Sequence, residues 1–101
     1  VFTGDTEPCD SVIELAKDAD LMLCMCWDEQ SNMIESGENQ GQCGTTGAAQ
    51  MAEQANVKKL CLVHIGPNLS QTKVMDSAML GLKDIFHGEI VFADELDRIE
   101  L

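Results

Sequence analysis

Hydrophobic positions along the chain follow two spacings, one typical of buried strands and one typical of helices. Short continuous apolar runs bounded by charged or turn-forming residues are typical of strands inside a sheet. Between these runs, apolar residues recur at the spacing of one helix face. The predicted strands are Val1–Thr3, Leu21–Met25, Leu60–Ile65, Glu89–Ala93 and Arg98–Leu101. The predicted helices begin at Asp10 or Ser11, at Thr45 or Thr46, and at Ser70.

The order of these elements, in which strands alternate with helices, indicates an α/β fold. Such an order is typical of a mainly parallel sheet with right-handed crossovers. The first helix is expected to bury a stripe that includes Val12, Leu15 and Ala16. The polar segment 28–44 is predicted to be a long loop with room for one helical turn.

Length and charge limit the classes of partner. The chain has 101 residues, which is enough for a single domain, and we expect one domain over residues 1–101. Its 18 acidic residues against 6 Lys and Arg give a net charge of −12, which repels phosphate backbones and predicts that this chain alone is a poor nucleic-acid binder. No apolar run approaches the ~18 residues of a membrane span, so we expect no membrane partner. The chain begins at Val1, in a predicted strand and without Met, so we expect it to be a piece of a longer protein.

The five cysteines favour a reducing compartment, because their number is odd and some lie inside apolar runs. We therefore expect a cytoplasmic location. Cys24 and Cys26 are two positions apart on a predicted strand and point to one face. Together with Cys43 they form a candidate thiol site, either as core packing residues or as a soft-metal or redox site.

Two metal-ligand types fall at strand ends. Asp5 follows the first predicted strand, and His64 lies at the end of the third. Because the carboxyl ends of parallel strands share one edge of a sheet, we expect the two side chains at the same edge. Carboxylate and imidazole both bind zinc and similar divalent metals. Each residue also has a structural interpretation, Asp5 as a turn former after Gly4 and His64 as a hydrogen-bonded strand end.

Four motifs resemble the carboxyl-terminal half of the metallo-β-lactamase-fold hydrolases, in the branch of ribonuclease Z and the arylsulfatase-like enzymes. They are T-G-D-T at 3–6, A-D-L-M-L at 19–23, Thr46 at the start of an Ala-rich helix, and V-K-K-L-C-L-V-H at 57–64. The family has S-G-D-T, A-D-L-L-I-H-E, H-x-T-x-x-x-A-A and V-K-K-L-V-L-T-H in the same order. The resemblance implies half of an αββα sandwich, with helices on one face of the sheet.

The resemblance also implies site residues and a reaction. Asp5 would bridge two divalent metal ions, His64 would be a terminal ligand, and Thr6 would hold the loop or the Asp5 carboxylate. The implied metal is zinc, with manganese or iron as alternatives. The full-length protein would use a metal-activated water to hydrolyse a sulfate, phosphodiester or carboxylic ester, and its charge favours a small-molecule substrate.

Departures from the family pattern limit what this chain does alone. The H-x-H-x-D-H motif has no counterpart, Cys24 and Met25 stand where the family has H-E, and Gly44 stands where it has the His of H-x-T. The metal site is therefore expected to be incomplete and the isolated chain inactive. An uncovered apolar sheet face favours a homo-oligomer. The alternative function is a non-catalytic α/β module that binds a partner or itself through this face.

Overall fold

The structure, a computed structural model, describes residues 1–4, 6–37 and 40–93. Its helices are α1 (Asp10–Ala16), α2 (Gln30–Ser36), α3 (Thr45–Ala55) and α4 (Thr72–Ile85). Its strands are β1 (Met22–Met25), β2 (Lys59–Val63) and β3 (Glu89–Phe92). None of the helices in these ranges is long and apolar enough to cross a membrane.

The sheet adds its strands in chain order, and every neighbouring pair is parallel. Phe2 forms one further parallel bridge with Leu23, beside β1, so the predicted first strand is present as a single bridge. When strands are added in one direction, right-handed crossovers place all the connecting helices on the same face. The predicted α/β fold, with a mainly parallel sheet and helices on one face, is confirmed.

Helix α3 is the centre of the helix layer. It packs against β1 and β2 and is contacted by each of the other helices. Its inner residues are small, with Ala48, Ala52 and Ala55 fully buried. Because alanine projects only one methyl group, the helix axis approaches the sheet closely, and the larger strand side chains fill the space between them.

The two faces of the sheet have different surroundings, because successive side chains of a strand point to opposite sides. One face belongs to the core shared with the helices, and it includes Met22, Cys24, Leu60, Leu62, Ile90 and Phe92. The other face, called the open face below, carries Leu23, Cys61, Val63 and Val91. Cys61 is buried there, as is Met25 at the end of β1, whereas Leu23, Val63 and Val91 are half-buried. No described helix packs on the open face.

Two predictions about local structure were wrong, and a third concerns residues that the structure does not describe. The segment predicted as a loop contains α2, a helix of 7 residues. Leu15 was predicted to be buried but is 71% exposed, since α1 ends at Ala16 and turns Val12, Ile13 and Ala16 towards the core. The predicted closing strand Arg98–Leu101 lies outside the described residues.

Candidate functional site

The candidate site is the edge of the sheet where the parallel strands end. Beyond β1, the Cys26 N–H donates to the Val63 carbonyl at 2.8 Å, and beyond β3 the Ala93 N–H donates to the Leu62 carbonyl at 3.0 Å. His64 follows the last residue of β2 directly. The prediction that His64 lies at the carboxyl edge is therefore confirmed.

His64 has an unusual backbone conformation and an aromatic neighbour. Its φ of 54° lies in the left-handed region, which ends β2 two residues earlier than predicted. Outside glycine, this conformation costs roughly 1–2 kcal/mol per residue. The His64 side chain is exposed, and its ring lies edge-on to Trp27, with centroids 5.6 Å apart and planes at 68°.

Trp27 is fixed by the loops that follow β1 and β2. Its N–H donates to the Cys43 carbonyl at 3.0 Å, and its own carbonyl accepts from the Gly66 N–H at 2.8 Å. A Cβ on Gly66 would overlap the Trp27 carbonyl oxygen and lie 3.0 Å from the indole ring. Glycine is therefore required at position 66, and the close approach holds the indole beside His64.

Asp28, the next residue after Trp27, cross-links the same loops. Its Oδ1 accepts from the Glu29 N–H at 2.7 Å and from Asn68 Nδ2 at 2.9 Å. Its carbonyl accepts from the Thr45 N–H at the start of α3, at 3.1 Å. We assign this carboxylate to the structure of the edge, because its donors come from the protein itself.

The residues on either side of Asp5 lie at the same edge. The Thr6 N–H donates to Met25 Sδ at 3.3 Å, at the end of β1, and Thr6 Oγ1 donates to the Glu7 carbonyl at 2.9 Å. Gly4, with a φ of 64°, forms the turn. Asp5 itself lies outside the described residues, so its role as a ligand and the action of Thr6 on it stay predictions.

The three cysteines of the candidate thiol site meet in the core below this edge. Cys24, Cys26 and Cys43 are fully buried, and all three are free thiols. The Cys43 thiol donates to the Gly44 carbonyl at 3.4 Å. The neighbouring Cys43 side chain lowers the pKa of Cys24, and the Cys24 side chain, together with burial, raises the pKa of Cys43. Burial chiefly raises the pKa of Cys26.

The described residues do not form a complete metal site. Within residues 1–4, 6–37 and 40–93, no group of three or more His, Cys, Asp or Glu side chains could hold a metal ion. The exposed imidazole of His64 is a suitable donor for zinc, manganese or iron. A catalytic zinc takes about three protein ligands, so a zinc ion bound by His64 would need further ligands from outside these ranges.

The second imidazole of the chain lies at the opposite, amino edge, in the turn before β3. His87 Nδ1 is 3.2 Å from Glu53 Oε2, and the His87 N–H donates to Glu53 Oε1 at 3.1 Å. The hydrogen bonds from the His87 side chain and backbone lower the pKa of Glu53. This histidine contacts a surface carboxylate at the edge of the sheet opposite the candidate site.

Sequence reasoning did not find the contact between Trp27 and His64. The two residues are far apart in the sequence, and neither stands in a motif with the other. The Gly66-Pro67 pair after the strand was a usable signal, since a glycine at such a place indicates a close approach of backbone.

Comparison with known proteins gives several relatives named as ribonuclease Z. No protein-family model matches the chain. Ribonuclease Z of Brevibacillus brevis is 43% identical over 67 residues, which are 66% of this chain and 21% of that protein. Ribonuclease Z of Sulfurisphaera tokodaii is 37% identical over 92 residues, which are 89% of this chain and 29% of that protein. Ribonuclease Z of Methanosarcina acetivorans is 31% identical over 109 aligned residues, covering 100% of this chain and 32% of that protein.

A solved structure gives the same indication for the fold. The metallo-β-lactamase-fold protein YhfI of Bacillus subtilis superimposes with a TM-score of 0.75 at 25% sequence identity, over 93% of this chain and 36% of that one. The chain thus spans about a fifth to a third of the length of the curated relatives it matches.

Proposed function

This chain belongs to the metal-dependent hydrolases with the metallo-β-lactamase fold, as a ribonuclease Z-like sequence from the carboxyl-terminal part of that fold, and from this membership we propose that Asp5 and His64 contribute to a divalent-metal site. The site is completed by residues of a longer protein. Asp5 would be the ligand shared by two metal ions, His64 would bind one of them, and Thr6 would hold the Asp5 loop. Zinc is the proposed metal, with manganese or iron as alternatives.

The observation that carries this proposal is the position and exposure of the His64 side chain. The side chain is exposed at the carboxyl edge, on a left-handed backbone and against Trp27. An unfavourable backbone conformation kept at a ligand-binding edge is typical of functional positions. Gly4 and Thr6, which flank Asp5, lie at the same edge. When bound, the metal would act as a Lewis acid and activate a water.

The proposed reaction is hydrolysis of an ester-type bond, namely a sulfate, a phosphodiester or a carboxylic ester. The relatives are named as ribonucleases, which makes a phosphodiester in RNA one candidate. The net charge of −12 favours a small-molecule ester, since this part of the protein repels a phosphate backbone. A basic surface outside this chain would be needed for RNA.

Metal binding can be followed through Trp27, because it is the single tryptophan of the chain. We expect Co²⁺, a paramagnetic quencher, to reduce Trp27 emission in a saturable way, and Zn²⁺ to compete with it. His64→Ala should abolish the saturable quenching. His87→Ala is the matched control, since His87 lies at the other edge and should leave the titration unchanged. Equal quenching in the wild type and in His64→Ala would contradict the proposal.

We expect the isolated chain to be inactive. Its hydrolysis of p-nitrophenyl acetate, p-nitrophenyl sulfate and bis(p-nitrophenyl) phosphate with added Zn²⁺ should equal that of His64→Ala. Turnover by the wild type that depends on His64 would show that the chain needs no further ligands and would contradict the incomplete site.

A second candidate function is a non-catalytic module that associates through the open face. It is favoured by Leu23, Val63 and Val91, which are half-buried apolar residues on a face that no described helix covers. We expect the chain to form a homo-oligomer whose mass, measured by light scattering, falls when Val63 is replaced by Lys. Leu80→Lys is the matched control, since Leu80 is 70% exposed on α4, on the helix side. A monomeric wild type at high concentration would exclude self-association.

A further inference from the structure

A cavity of about 310 Å³ lies in the helix layer, and neither His64 nor Trp27 is part of its wall. The wall is formed by the residues at the start of α2, by the first turn of α3 and by the middle and end of α4. Ligand-binding pockets have volumes of about 300–1,000 Å³, so this cavity has room for a small molecule.

Thr45 is a polar residue in the wall of this cavity, and it is only 7% exposed. Its hydroxyl forms no hydrogen bond with any residue in the described ranges. In the same ranges, no side-chain oxygen or nitrogen is both enclosed and without a partner. The Thr45 hydroxyl is therefore open to the cavity, where a ligand can supply the hydrogen bond that a buried polar group needs.

The amide of Gln30, which also lines the cavity, has a fixed orientation. Its Oε1 accepts from the Gly44 N–H at 3.1 Å and from the Gly47 N–H at 3.2 Å. Because both contacts require the oxygen, the Nε2 end must point away from these two backbone groups. Its two N–H donors have no partner among the described residues and remain for a ligand.

The remaining wall combines polar and apolar side chains. The Glu29 carboxylate accepts hydrogen bonds, whereas the hydroxyls of Thr46 and Ser77 both donate and accept. Ala78 and Leu82, which are buried on α4, form an apolar part of the wall. A matching ligand therefore needs donors, acceptors and an apolar side.

We propose that this cavity binds a small neutral polyol, such as a sugar alcohol or a monosaccharide. Each hydroxyl of such a ligand both donates and accepts, as do the hydroxyls of Thr45, Thr46 and Ser77. The Glu29 carboxylate and the Gln30 amide offer acceptors and donors to adjacent ligand hydroxyls. The C–H groups of the ligand contact the apolar part of the wall.

Charged ligands match this wall less well. The Thr45 N–H at the start of α3 already donates to the Asp28 carbonyl at 3.1 Å, so it is not free to bind an anion. The Glu29 carboxylate and the net charge of −12 repel an anion as well. An ammonium group has donors only, so it would leave the Gln30 N–H donors without an acceptor.

Saturation-transfer NMR on the whole chain, with xylitol and glucose as probes, tests the proposal. We expect a transfer signal in the wild type and its loss in Gly81→Leu. Gly81 lines the cavity, and a Cβ there would meet nothing within 4 Å, so the new side chain has space to fill the cavity. Lys83→Leu is the matched control and should keep the signal, because it adds the same side chain at an exposed position of α4 that is not in the wall.

Three results would overturn the proposal. They are the absence of transfer to both probes in the wild type, equal transfer in the wild type and in Gly81→Leu, and displacement of xylitol by an equal concentration of inorganic phosphate or ethanolamine. If Gly81→Leu fails to fold by circular dichroism, Thr46→Val replaces it. That variant removes one hydroxyl at nearly constant shape and should weaken the signal. The measurement needs no added metal, so its outcome is independent of the proposed metal site.

Discussion

The two edges of the sheet each carry one histidine, and they hold it in different ways. At the amino edge, both the backbone and the ring of His87 are bound by the Glu53 carboxylate. At the carboxyl edge, His64 is on a left-handed backbone with its ring against Trp27. At the amino edge, the imidazole contacts a surface carboxylate. At the carboxyl edge, the imidazole is exposed, and the backbone that carries it has an unfavourable conformation.

The packing around the two histidines differs less than the way each histidine is held. The amino edge has exposed ion pairs, such as Lys58–Asp20 at 3.1 Å, and pairs of this kind contribute about 0–1 kcal/mol each. Both edges have backbone hydrogen bonds and a glycine without space for a side chain, which is Gly66 at the carboxyl edge and Gly88 at the amino edge, where a Cβ would lie 2.7 Å from the Lys58 carbonyl oxygen. The edges therefore differ in how each holds its histidine and not in how closely the backbone is packed.

The largest effect is expected at Gly66. A Cβ there would overlap the Trp27 carbonyl oxygen, so Gly66→Ala should destabilise the chain by about 2 kcal/mol, in the range of other overpacking substitutions. Gly81→Ala is the matched control, because its Cβ would meet nothing within 4 Å on a helix. It should stabilise the chain by about 0.5–1 kcal/mol. Urea denaturation measures both, and equal effects would show that the carboxyl edge is not tightly packed.

An intermediate effect is expected at the two histidines, where the stability difference between the glycine and alanine variants should have opposite signs. His64→Gly should be more stable than His64→Ala by about 1 kcal/mol, because both lack the imidazole and only alanine is strained at a φ of 54°. At His87, which is not among the residues of positive φ, the alanine variant should be the more stable one. Urea midpoints of the four variants test this, and the same order at both positions would refute the contrast between the edges.

The smallest effect is a pH dependence at the amino edge. Hydrogen bonds from His87 lower the pKa of Glu53 below its ordinary value of 4.5 in the folded chain. A lowered pKa contributes stability that is present above about pH 4.5 and is lost as the pH falls through the folded value. Glu53→Gln should therefore be slightly less stable than the wild type at pH 6, and the difference should vanish at low pH. Thermal midpoints of both proteins across that pH range are the measurement. A stability difference between the two that grows as the pH falls would contradict the prediction.

The order of elements could be predicted because it depends on local patterns. The run at β1 is apolar throughout, and the alanines of α3 repeat at helical spacing, so each had one consistent interpretation. Helix α2 was missed because its sequence, Gln30–Ser36, is mostly polar, and Met33 is the only fully buried residue among those of its side chains that the structure describes. The exposure of Leu15 was missed because it depends on where α1 ends.

For the candidate site, the sequence could predict only the features that follow from the order of the strands. That His64 lies at the carboxyl edge follows from the parallel order of the strands alone. Its left-handed backbone and its contact with Trp27 depend on tertiary packing between distant segments. No local pattern in the sequence records such contacts.

Because the sheet adds its strands in one direction and has its helices on one face, the two faces should tolerate substitutions differently. A substitution at Leu62 must be matched by changes in the alanine-rich helix above it, so such positions evolve in groups. At Val63, on the other side of the same strand, no described helix has to change with it. We therefore expect aligned descendants of this sequence to vary more freely at Leu23, Val63 and Val91 than at Leu60 and Leu62 on the opposite face.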